Sequence, residues 1–121
     1  MSILQVDAIR DNGATFNDVV TFANSGGTEN GKLARAWVNF NGQGTIAIRT
    51  QFNVNSLADR GTGAYTVLFA NSMADANYVI VNGGAFIVNA IPDTAAQALV
   101  NTYASNFGAQ DKDVVEVAVF R

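Results

Sequence analysis

Apolar and polar residues alternate with a period of two along most of this chain, and the alternation is sharpest over residues 34–81. Ala36, Val38 and Phe40 fall on one face of an extended strand, with Arg35, Trp37 and Asn39 on the other. Asn41-Gly42-Gln43-Gly44 follows, and Asn-Gly between alternating runs marks a hairpin because both residues tolerate positive φ. The pattern predicts a return strand over 45–52 with Ile46 and Ile48 on one face, continuing irregularly to Leu57. A turn at 59–63 and a strand through Tyr65, Val67 and Phe69 would complete a β-meander. Two more strands are predicted over 78–81 and 85–91, joined by Asn82-Gly83-Gly84, with Pro92 ending the second.

Residues 94–103 carry mixed signals: Ala95, Ala96, Ala98 and Leu99 favour helix, Val100, Thr102 and Tyr103 favour strand. Their setting among strands decides for strand. Residues 114–121 put Val115, Val117 and Val119 on one face and Glu116 and Phe120 on the other, so the C-terminal strand should be built into the sheet. Near the N-terminus, Ile3, Val6, Ile9, Phe16, Val19, Val20 and Phe22 are spaced irregularly, and the segment reads as extended rather than helical. The run 24–31, rich in Gly and small polar residues, reads as a flexible connector. The expected organisation is therefore a stem-like segment and linker over 1–31 and a head over 32–121. The head is predicted to be all-β, an antiparallel β-sandwich or jelly-roll-like knob. Runs such as Val79-Ile80-Val81 and Phe86-Ile87-Val88 are apolar on both faces, which a partner subunit or a two-sheet core would each explain.

Composition narrows the function. A formal charge of −3 over 121 residues leaves no electropositive field, so nucleic acid is not an expected partner. There is no run of eighteen apolar residues and no basic-then-apolar leader, so neither membrane insertion nor a secretory signal is expected. Cysteine and histidine are absent, which removes disulfides, thiolate or imidazole metal ligands and Ser-His or Cys-His nucleophile pairs. No cofactor or metal is expected. A glycosidase would have to draw its two carboxylates from Asp59, Asp75, Asp93, Asp111, Asp113 and Glu116, all in or beside turns where carboxylates commonly cap backbone amides. Asp111-Lys112-Asp113 lacks calcium-loop spacing and reads as a solvated turn. The chain is not expected to be an enzyme.

The run from Lys32 through Trp37-Val38-Asn39-Phe40-Asn41-Gly42 to Arg49 resembles a motif in the distal domains of bacteriophage tail fibres, notably those of cyanophages and other marine phages. Phe52-Asn53-Val54, Asp59-Arg60-Gly61-Thr62-Gly63-Ala64-Tyr65-Thr66-Val67, Ala74-Asp75-Ala76-Asn77-Tyr78 and the closing Val117-Ala118-Val119-Phe120 continue the resemblance. Leu4-Gln5-Val6-Asp7-Ala8-Ile9-Arg10 is similar to segments that recur in the stems of such fibres. Residues 82–113 match no pattern of that family. The resemblance implies a homotrimeric receptor-binding knob on a virion, made in the host cytoplasm, contacting other tail proteins and a host-surface glycan or outer-membrane receptor. A purely structural fibre or decoration protein is the alternative. The best candidate receptor-binding residues are Tyr103, Asn106, Phe107 and Gln110, in an aromatic-bearing polar stretch outside the shared motif, unless Tyr103 and Phe107 merely anchor it. Trp37 and Asn39 share a strand face and pair an aromatic ring with an amide, as sugar sites do, but their place in the shared motif assigns Trp37 to the core or a trimer axis.

Overall fold

The computed structural model describes residues 19–24, 26–84 and 87–121, and divides the chain into two compact units, 1–33 and 34–121. In the first, β1 (Val19–Asn24) pairs antiparallel with β2 (Gly27–Lys32), closing where Asn24 faces Gly27. The connector expected over 24–31 is thus largely the second arm of a hairpin, because backbone pairing needs no apolar side chains. The expectations for residues 3–18 lie outside the described residues.

The second unit is an eight-stranded antiparallel β-sandwich. Its strands are β3 (Ala36–Asn41), β4 (Ala47–Phe52), β5 (Val54–Gly61), β6 (Ala64–Phe69), β7 (Val79–Gly84), β8 (Ile87–Thr94), β9 (Gln97–Tyr103) and β10 (Val115–Phe120). One sheet has the order β4-β3-β10-β7 and the other β5-β6-β9-β8. The inward period-two residues meet between them: Ala36, Val38, Phe40, Val115, Val117 and Val119 from the first sheet, and Tyr65, Val67, Phe69, Ala98 and Val100 from the second. Edge-on ring contacts join Phe40 to Tyr65 at 5.2 Å and Phe69 to Tyr78 at 5.7 Å.

Three local expectations are corrected. The stretch 34–69 is not one meander but two hairpins in different sheets, and the chain changes sheet at Asn53. That residue sits at φ 55°, a left-handed conformation that Asn tolerates. Its amide holds the corner, donating to the carbonyls of Arg35 and Asn71 at 3.0 and 3.1 Å and accepting from the Asn71 amide at 2.7 Å. Likewise Asn82-Gly83-Gly84 does not close a hairpin. These residues belong to β7, which pairs with β10, and β8 lies in the other sheet. Pro92 does not end β8, which runs on to Thr94; an edge strand with a bulge at this point accepts a residue that cannot donate to the ladder.

Candidate functional site

The link from β9 to β10 carries the four residues singled out from the sequence. Tyr103 is the last residue of β9, half-buried and bridged to Ala109, so it borders the loop rather than belonging to it. Beyond it the chain folds into a tight turn. The amide of Ala104 donates to the Gly108 carbonyl at 2.8 Å, that of Phe107 to the Ala104 carbonyl at 3.0 Å, and that of Gly108 to the Asn106 carboxamide oxygen at 3.0 Å. Asn106 therefore shapes the turn. Phe107 is held at its tip with φ 64° and is 76% exposed. A left-handed backbone costs a bulky residue about 1–2 kcal/mol, and such strain persists only where surrounding contacts over-determine it.

The base of the loop is stapled to the sandwich. Gln110 exchanges bonds with Thr102: its amide donates to the Thr102 carbonyl at 3.1 Å, and its carbonyl accepts from the Thr102 hydroxyl at 2.6 Å. Its side chain accepts from Lys112 at 2.5 Å. Next in the chain, the Asp111 carboxylate accepts from the Tyr65 hydroxyl at 2.8 Å and from the Gly63 amide at 2.7 Å. The Gly42 amide donates to the Lys112 carbonyl at 2.8 Å. Burial, and then the bond to Asp111, push the Tyr65 phenol up to about 12. Thr102, Tyr65, Asp111 and Gly63 are the support that sequence reading missed, since they come from three separate stretches of chain and carry no local motif.

Three of the other candidate carboxylates have visible partners. Asp59 accepts from the Gly61 amide at 2.9 Å, and Asp93 from the Gln97 side chain at 2.6 Å. Arg121 grips Asp75 through two parallel bonds of 2.9 and 2.7 Å, which together with the Asn77 amide hold its carboxyl down to about 2. Among the described residues no three acidic groups gather where they would hold a metal ion. No helix there is long and apolar enough to cross a membrane.

Trp37 lies on the outer face of the first sheet, 38% exposed, which overturns its assignment to the core. It shares that face with Asn39, as the period of two requires. No protein-family model matches this chain, and no curated protein or solved structure matches it either.

Proposed function

We propose that the sandwich is the receptor-attachment tip of a bacteriophage tail fibre, acting as a homotrimer and binding a host-surface molecule, a glycan in the first place. The observation that carries this reading is Phe107, an exposed aromatic ring on a strained turn that is anchored to the core at its base. Rigid presentation lowers the ordering cost of binding, and an aromatic tip is suited to stacking on the C–H face of a sugar. Three copies on one knob would raise weak single-site affinity without any new contact. Trimer formation is supported by the outer face of the second sheet, where Ala58, Thr66, Leu99 and Ile91 form an uncharged row across all four strands, with Ala58 and Ile91 exposed, Leu99 half-buried and Thr66 buried.

Fluorescently labelled protein offered to a panel of bacterial strains tests the reading. Adsorption to some strains and its loss in Phe107→Ala are expected; adsorption to none would overturn it. Light scattering at micromolar concentration should give three times the chain mass, and a monodisperse monomer would remove the trimer. The structural-component alternative also draws on the uncharged row, and would be favoured by protein that assembles with other virion proteins while neither adsorbing to cells nor blocking phage adsorption.

A further inference from the structure

We infer that the outer face of the first sheet carries a carbohydrate subsite, a groove that takes a neutral hexose ring. Strand register builds it as two adjacent rows. Phe52, Trp37, Ala118 and Val81 lie side by side across β4, β3, β10 and β7. Two residues along each strand, Thr50, Asn39, Glu116 and Gly83 lie side by side in the same way. The rows are about 6.5–7 Å apart, the advance of two strand residues. An apolar row containing an indole therefore runs beside a polar one on a single face. A hexose has the matching layout, with C–H groups on its faces and hydroxyls around its rim.

Small residues make the surface concave. Ala118 sits between Trp37 and Val81, and Gly83 contributes no side chain next to Glu116. The result is an open groove of about 450 Å³, within the size range of small-molecule sites. Two of its polar groups, Asn39 and Glu116, are linked in series and backed by Arg49, which lies outside the lining: Arg49 donates to the Asn39 carboxamide oxygen at 3.4 Å, and the Asn39 amide group donates to Glu116 Oε1 at 2.9 Å. The other carboxylate oxygen, Oε2, borders the place where a side chain on Gly83 would begin, 3.4 Å from it. A sugar hydroxyl there would donate to a carboxylate, a charge-assisted bond, while the ring lies against Trp37. An apolar contact from a second protein copy is the poorer occupant, because a dry interface strips water from the Glu116 carboxylate unless a donor is supplied at the same place. The same charge repels anionic sugars.

This subsite adds to the attachment reading a second contact on the same head, and its test is separate. Trp37 is the single tryptophan of the chain and no tyrosine lines the groove, so emission excited at wavelengths that tyrosine does not absorb reports on the groove. The intact chain would be titrated with glucose, galactose, mannose and N-acetylglucosamine, with glucuronate as the anionic control. A saturable emission change with at least one neutral sugar is expected, with a dissociation constant on the order of millimolar, and none with glucuronate. Glu116→Gln should weaken binding about tenfold, the loss of charge assistance on one hydrogen bond. Gly83→Leu should abolish it with circular dichroism and melting unchanged, since the new side chain meets only Glu116 within 4 Å of its Cβ. Absence of any saturable change, or a response that survives Gly83→Leu, would overturn the subsite. So would light scattering that shows Gly83→Leu breaking an oligomer present in the parent protein, since the groove would then be a subunit contact. The titration needs no bacterium and strain adsorption needs no groove, so either proposal can fail alone.

Discussion

At the scale of the residue, Tyr65 and Phe107 show the two ends of a balance between stability and exposure. The Tyr65 ring packs on Phe40 while its hydroxyl sits within hydrogen-bonding reach of both Asp111 and the Gly42 carbonyl, at 2.8 and 2.9 Å. Tyr65→Phe should cost about 1–3 kcal/mol, because the buried acceptors lose their donor. Its raised pKa also sets a pH window. An unfolded chain releases the phenolic proton near 10 whereas the folded chain keeps it to about 12, so stability is complete below pH 10 and falls as pH rises through this interval. Urea midpoints across the window should decline in the parent and decline less in Tyr65→Phe, with Tyr78, also raised by burial, accounting for the remainder. Phe107 behaves oppositely. Phe107→Gly should raise stability by roughly 0.5 kcal/mol, the relieved left-handed strain less the greater entropy of unfolded glycine, while adsorption is lost.

At the scale of the element, the loops carry the tightest backbone constraints. Gly63 closes the β5–β6 turn at φ 63°, and a Cβ there would lie 2.4 Å from the Thr102 carbonyl oxygen. Both the backbone angle and the space require glycine. Gly63→Ala should therefore destabilise by about 2 kcal/mol or more and loosen the base of the Phe107 loop, which thermal melts and amide exchange at residues 104–110 would register together. Gly42 is constrained by space alone, since a Cβ would reach 2.5 Å from the Tyr65 hydroxyl. The strands were easier to read. Inward alternation in β3 and β10 is visible directly in the residues, and Val115, Val117 and Val119 are all buried as their spacing requires. Which strand each one would pair with was not visible. A hairpin and a crossing between sheets have the same local signature, a Gly- or Asn-bearing break between two alternating runs, so 82–84 reads as a hairpin turn, while the crossing at Asn53 reads as an irregular continuation of the strand before it.

At the scale of the whole molecule, the sandwich is tied together by contacts far apart in sequence. The segment between β6 and β7 is clamped by the Met73 amide on the Ala95 carbonyl at 2.7 Å and by the Tyr78 hydroxyl against the β8–β9 turn. Arg121, following β10, closes on Asp75 in the same segment. Because that carboxyl is held near 2 against an ordinary 3.8, the pair stabilises the fold above the higher value, and the contribution fades as pH falls through the lower one. Parent and Asp75→Asn melting temperatures should therefore differ at neutral pH and converge in acid. The pair is exposed, so the difference should be small and shrink with added salt.

The residues by themselves determined that this chain forms antiparallel strands, which side of several strands turns inward, and that the histidine- and cysteine-dependent chemistries are closed to it. These follow from local sterics, period-two burial and side-chain inventory, none of which needs a distant partner. Tertiary structure alone decided that Trp37 faces outward beside Glu116 and Gly83, that Asp111 supports a loop by binding Tyr65, and that Phe107 is the exposed tip. The reason is geometric: alternation divides each strand into two faces, but which face is covered, and by what, depends on the order in which strands join the two sheets.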